Sequence, residues 1–120
     1  MQKLVEASLK VDPEAIQKYA KITDDFNPIH VDPEFAKKTP FGDVIAHGTM
    51  SLSLIWQSAT RTLGKEAVAG AKMNVRFSKP VRNGDIVTAG GEQSADNPNR
   101  YDVYVKTQND DVVIQGWLEI

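Results

Sequence analysis

A chain of 120 residues, 41% hydrophobic and 25% charged, is sized for one folded domain spanning 1–120 and leaves little room for a second core. Its formal net charge of −2 argues against a nucleic-acid surface, and the lack of cysteine excludes disulfides, thiolate catalysis and thiolate-bound metals. Met1 to Glu6 carries no apolar core of signal-peptide length and no later run would span a bilayer, so no membrane is expected and the cytoplasm is the expected location.

Lys3 to Val11 mixes β-branched and polar residues and reads as a first strand. Asp12-Pro13-Glu14 then spells a helix start, with a capping carboxylate, proline at the first helical position and an acid at the positive end of the dipole. That helix carries Ala15, Ile16, Tyr19 and Ala20 on one side and ends before Thr23. The same start recurs at Asp32-Pro33-Glu34 and predicts a short second helix before Thr39-Pro40.

Between the two starts, Asp25, Asn27 and His30 are separated by Phe26, Pro28 and Ile29. Pro28 fixes its own φ and biases Asn27 toward an extended backbone, which predicts a rigid loop able to hold side chains at a set distance. An Asp and a neutral imidazole held near one point can position a water molecule and move its proton near neutral pH. Asn27 reads as a support, its amide holding the loop closed or holding Asp25 in its rotamer.

Phe41 to Ile45 is irregular, with a turn at Gly42. From Thr49 to Leu63 runs the longest helical period, with Leu52, Ile55, Trp56, Ala59 and Leu63 at spacings of three or four, and Met50 and Leu54 widen the apolar face enough to predict burial. Gly64 is placed to cap its end, with Arg61 in the last turn. Gly48 stands where this helix begins, so its backbone N–H is a free donor suited to a developing oxyanion, such as a thioester carbonyl becoming an enolate. His47 reads as the residue that fixes the chain before Gly48 and stays outside the catalytic set. Ser51 and Ser53 lie in no nucleophile elbow.

After Gly70, Ala71 to Phe77 reads as a strand with Met73, Val75 and Phe77 on one face and Lys72, Asn74 and Arg76 on the other. A bend at 80–85, a strand from Ile86 toward Glu92, a turn at 96–99, a strand around Tyr101, Val103 and Val105, a turn at 108–111 and a last strand from Val112 to Ile120 predict four strands in an antiparallel meander, with Val113, Trp117 and Leu118 in the core. One buried helix with about five antiparallel strands is an α+β plan in which the sheet wraps the helix. Lys72, Arg76, Lys79 and Arg82 read as a solvated strand face, with phosphates or an acidic protein as the functional alternative. With only His30 and His47 available, no metal-ligand cluster and no cofactor are expected.

Thr23-Asp24-Asp25-Phe26-Asn27-Pro28-Ile29-His30, Phe41-Gly42, Ile45-Ala46-His47-Gly48, Phe77-Ser78-Lys79-Pro80-Val81 and Gly84-Asp85 together resemble the MaoC-like (R)-specific enoyl-CoA hydratases and the related (R)-3-hydroxyacyl-thioester dehydratases. The resemblance covers most of the chain and implies a single hotdog fold, an antiparallel sheet of about five strands wrapped around a long central helix, paired as a homodimer. It implies a lyase that hydrates trans-2-enoyl thioesters of coenzyme A or acyl carrier protein, with Asp25 and His30 holding the water and the Gly48 N–H binding the thioester oxygen. Coenzyme A or the carrier enters only as part of the substrate. The acyl chain is expected along the central helix, with Leu52 and Trp56 as candidate pocket residues. The family usually has Gly where this chain has Asp24, a departure that a second carboxylate beside Asp25 makes relevant to acid/base tuning. Two alternatives are an acyl-CoA thioesterase, in which a carboxylate drives water at the carbonyl carbon, and a non-catalytic acyl-thioester-binding subunit.

Overall fold

A computed structural model describes residues 1–120. Strand β1 (Lys3–Lys10) leads into helix α1 (Pro13–Thr23), two short helical turns, α2 (Pro28–Val31) and α3 (Pro33–Lys37), and the long helix α4 (Gly48–Leu63). A further turn, α5 (Lys65–Val68), which no sequence signal announced, precedes β2 (Lys72–Phe77), β3 (Ile86–Gln93), β4 (Arg100–Lys106) and β5 (Val112–Glu119). The start signals act as read: the Asp12 carboxylate accepts the Ala15 N–H at 2.8 Å, and that of Asp32 accepts from Glu34 and Phe35. Gly64 closes α4 at φ +87°, its N–H donating to the Thr60 carbonyl.

The five strands form one antiparallel sheet in the order β1-β3-β4-β5-β2. Only β3, β4 and β5 follow one another as the meander predicted. β2 lies on the far edge and pairs with β5, Met73 opposite Leu118 and Phe77 opposite Ile114, while β1 takes the place beside β3. The connection at 78–85 explains the crossing. It is held by long-range bonds instead of a hairpin turn: Ser78 N–H donates to Val113, Ala46 N–H to Val81, and Gly84 N–H to Val11.

Helix α4 packs against β1, β3 and β4. Its buried residues are Met50, Ser51, Leu54, Ile55, Ser58 and Ala59, so the face is rotated from the expected stripe and leaves Leu52, Trp56 and Leu63 half-buried at its margin. The backbone of β1 explains why Ser58 can be buried on that face. The register of β1 against β3 slips between Leu4 and Ala7, and Val5 turns its N–H to Thr62 Oγ1 (2.8 Å) and its carbonyl to the Ser58 hydroxyl. Small hydroxyl residues on α4 thus satisfy strand groups that the bulge leaves without a ladder partner. Trp117 is not core either. Leu118 takes the inward face, so its strand neighbour turns outward, where the Arg100 guanidinium lies 4.1 Å from the indole ring centre.

The pairing of β2 with β5 depends on Gly116, because a Cβ there would lie 2.0 Å from the Asn74 carbonyl oxygen and 2.6 Å from Val75 Cα. Both are backbone atoms that no rotamer change can move aside. Gly116→Ala is expected to cost about 3 kcal/mol in urea unfolding, the upper end of overpacking penalties; an unchanged midpoint would show that β2 is not held on β5 in this register.

Candidate functional site

The acidic loop begins where α1 stops. Asp24 adopts the left-handed conformation (φ 55°, ψ 36°) and donates its N–H to Ala20, and Asp25 N–H donates to the same carbonyl at 3.0 Å. Left-handed residues at a helix C-terminus are usually Gly, with Asp and Asn tolerated. The departure at Asp24 is therefore a backbone matter, and its side chain is exposed. The Asp25 carboxylate accepts the Asn27 N–H at 3.2 Å. Asn27 has the expected extended backbone (ψ 129°), and its side-chain oxygen accepts the Ile29 N–H at 3.2 Å, capping α2. Residues 28–31 thus form one helical turn where a rigid loop was expected: Pro28 occupies the first helical position, where its missing N–H costs nothing.

Three hydrogen bonds lace this segment to residues 45–47. Ile45 N–H donates to the Ile29 carbonyl (3.1 Å), His30 Nδ1–H to the Ile45 carbonyl (2.8 Å), and His47 Nε2–H to the Asp25 carbonyl (2.9 Å). A carbonyl only accepts, so each bonded nitrogen carries the proton. In the neutral rings the lone pairs are then on His30 Nε2 and His47 Nδ1. The two imidazoles stack with centres 4.0 Å apart at 24°, and Tyr19 meets His47 edge-on at 5.0 Å while its hydroxyl donates to Thr49 Oγ1 at 2.7 Å. His47 is 3% exposed and its Nδ1 is enclosed without a partner. Asp25 is exposed and His30 half-buried. A carboxylate oxygen of Asp25 and a ring nitrogen from each histidine all lie within 4.8 Å of one another.

Beside His30 opens a pocket of about 350 Å³, walled by Ile45, Ala46, Gly48, Ser51, Val113 and Ile114 and rimmed by Phe41, Phe77 and Lys79. Gly48 is exposed and is the first residue of α4, so its N–H has no acceptor within the helix. The group that approaches it most closely is a side chain: a Cβ on Gly48 would lie 2.7 Å from Phe77 Cε2. The Phe77 ring is itself 51% exposed.

His30 and Gly48 therefore share one cavity, with Asp25 within reach of His30 though not on the cavity wall. Leu52 and Trp56 do not line it. Trp56 borders a separate shallow hollow with Gln57, Thr60 and Arg61, because the rotation of α4 carries that face away from the pocket. Of the basic residues, Lys79 reaches Asp111 (3.4 Å) on the rim and Arg82 is bonded to the Phe41 carbonyl, while Lys72 and Arg76 are exposed on β2. His47 fixes the chain before Gly48 as its place in the sequence suggested, by a bond that joins the two stretches, while Ser51, dismissed as a nucleophile, is a buried member of the pocket wall one turn beyond Gly48.

Comparisons with known proteins bear on this constellation. The model of the MaoC like domain matches residues 1–114. The 3-hydroxybutyryl-CoA dehydratase of Methylorubrum extorquens is 39% identical over 102 residues, which cover 82% of this chain and 64% of that protein. The chain thus spans less than two thirds of the length of that curated relative. Among solved structures, the (R)-hydratase of A. caviae involved in PHA biosynthesis superposes with a TM-score of 0.81 at 30% identity, over 98% of this chain and 91% of that one. The ChsH1-ChsH2 complex of Mycobacterium tuberculosis gives 0.77 at 25% identity, over 99% and 95%. The five-stranded sheet around a central helix is the hotdog fold of these neighbours.

The left-handed conformation at Asp24 carries its own test. Asp24→Val is expected to lose about 1–2 kcal/mol in urea unfolding, since a β-branched residue is strained there, whereas Asp24→Gly should lose nothing. Equal stabilities for the two variants would contradict the conformation.

Proposed function

The chain belongs to the MaoC like domain family, and from that premise we propose that it adds water reversibly across trans-2-enoyl thioesters to give (R)-3-hydroxyacyl thioesters. One observation carries the reading: the bond from His30 Nδ1–H to the Ile45 carbonyl leaves Nε2 as the free lone pair of the neutral ring, on a residue that clusters with the Asp25 carboxylate and lines the same cavity as Gly48, the first residue of α4. Asp25 and His30 grip a water molecule between them. His30 Nε2 draws off its proton as the oxygen attacks C3, and the imidazolium returns that proton to C2, which restores the neutral ring. Negative charge gathers on the thioester oxygen, which the Gly48 N–H and the positive end of α4 stabilise. The mainly apolar cavity wall takes the acyl chain.

Relatives support this reading by name: one is a 3-hydroxybutyryl-CoA dehydratase and another an (R)-specific enoyl-CoA hydratase. Substrates on coenzyme A and on a carrier protein both suit it, and no further cofactor enters the reaction. His47 has one ring nitrogen bonded and the other enclosed, so the three-residue cluster suits proton transfer better than an ion. The non-catalytic alternative loses the one feature that favoured it, since Asp24 serves the end of α1. The proposal includes pairing of two copies in the cytoplasm. β1 and β2 are the two edges of the sheet, and β2 carries the half-buried Met73 and Val75 and the exposed Phe77. One structural neighbour is a complex of two proteins, ChsH1 and ChsH2.

Crotonyl-CoA hydration, followed by loss of enoyl absorbance, is the direct test. Asp25→Asn and His30→Ala are each expected to keep the fold and lower kcat by about 10²–10⁴-fold, the range for a positioned acid/base group. Turnover retained by both variants would refute the assignment, and release of free coenzyme A thiol by the native protein would identify a thioesterase instead.

A further inference from the structure

Of the six hydroxyl residues of α4, four have a bonding partner in the chain and a fifth, Thr60, is exposed to water. Ser53 donates to the Met50 carbonyl (2.6 Å), Thr62 to that of Ser58 (2.9 Å) and Ser58 across to Val5, while Thr49 receives the Tyr19 hydroxyl. Ser51 differs. It is 1% exposed, its Oγ finds no hydrogen-bond partner in the chain, and it lines the cavity that holds His30 and Gly48. A helical serine can bond the carbonyl one turn back, and Ser53 does so, so Ser51 forgoes a partner available to its neighbour. Burying a hydroxyl unpaired costs about 1–3 kcal/mol. Alanine would fill this wall with almost the same shape and without that cost.

The geometry points to Ser51 as a second donor for the thioester oxygen, acting with the Gly48 N–H. Residues three apart share a helix face, and the Cα–Cβ bond leans toward the helix N-terminus, so the Ser51 hydroxyl lies over the turn that Gly48 begins. Of the other lining residues, Ser78 is exposed and Lys79 is paired with Asp111, while Ile45, Ala46, Val113 and Ile114 carry no side-chain polar group. A thioester carbonyl brought to the start of α4 therefore meets one main-chain and one side-chain donor. Both bonds tighten as the oxygen gains charge, which lowers the barrier more than it improves ground-state binding. The inference rests on the acyl-thioester reading above and names a further substrate-binding group within the same site.

Two readouts separate it from that reading. The first is crotonyl-CoA hydration by Ser51→Ala and by Ser58→Ala. Ser51→Ala is expected to lower kcat at least tenfold with little change in KM and no loss of stability to urea; Ser58→Ala is expected to do the reverse, losing stability while keeping kcat. The second is isotope-edited infrared spectroscopy of bound butyryl-CoA labelled with carbon-13 at the carbonyl, a saturated thioester that cannot be hydrated. Its carbonyl band should lie below the position in water in the native protein and move part of the way back in Ser51→Ala. An unmoved band overturns the assignment of Ser51, whatever happens to kcat. If the native protein binds butyryl-CoA but hydrates nothing, the hydratase reading fails and the band alone decides for or against Ser51. If it binds no acyl thioester, both fail.

Discussion

The carbonyl oxygens of Asp25 and Ile45 each accept a hydrogen from an imidazole on the opposite stretch, and the site depends on that exchange. Together with the Ile45 N–H bond to Ile29 it fastens the segment after α1 to the segment before α4 at three points. The bonds do more than hold the chain. Tying Nδ1 of His30 leaves Nε2 as its only available base, and tying Nε2 of His47 leaves that ring's remaining nitrogen enclosed. Two chemically identical side chains, stacked at 4.0 Å, thereby acquire different work: one faces the cavity and the other braces the loop that carries Asp25.

Around this clamp, the fold supplies a fixed helix terminus. α4 begins one residue after His47, so the bond that positions Asp25 also positions the first free N–H of the helix. The helix is secured along its length by apolar burial against β1, β3 and β4 and by the hydroxyls of Ser58 and Thr62 on the bulge of β1. On the other side, the crossing of β2 to the far edge brings Phe77 over Gly48, and the 78–85 connection completes the cavity wall through Ser78, Pro80 and Val81. The segments joined by the clamp carry Asp25, His30 and Gly48, and the exposed ring of Phe77 lies over Gly48 from outside.

Local chemistry was legible in the chain and long-range placement was not. Asp12-Pro13 and Asp32-Pro33 announced their helices because a cap and a proline act within one turn. The cluster of Asp25 and His30 was visible because Pro28 stiffens the few residues between them. The position of β2 was invisible, since strand order is decided by bonds such as that from Ala46 to Val81, far apart in sequence. Trp117 was read as core from its bulk, although its neighbour Leu118 already held the inward face. The burial of Ser51 and Ser58 was not legible for a related reason: polarity predicts exposure unless a partner is known, and the partner of Ser58 is a bulge in a distant strand. Asp24 could be read only once its φ was known.

The division of labour between the two histidines is the claim on which the chemistry stands, and long-range proton–nitrogen correlation NMR of the nitrogen-15-labelled protein reads it without any substrate. At a pH where both rings are neutral, the account predicts that His30 carries its proton on Nδ1 and His47 on Nε2, each as a single tautomer. His30 protonated on Nε2, or either ring averaging between tautomers, would contradict the clamp and leave the cavity without its base.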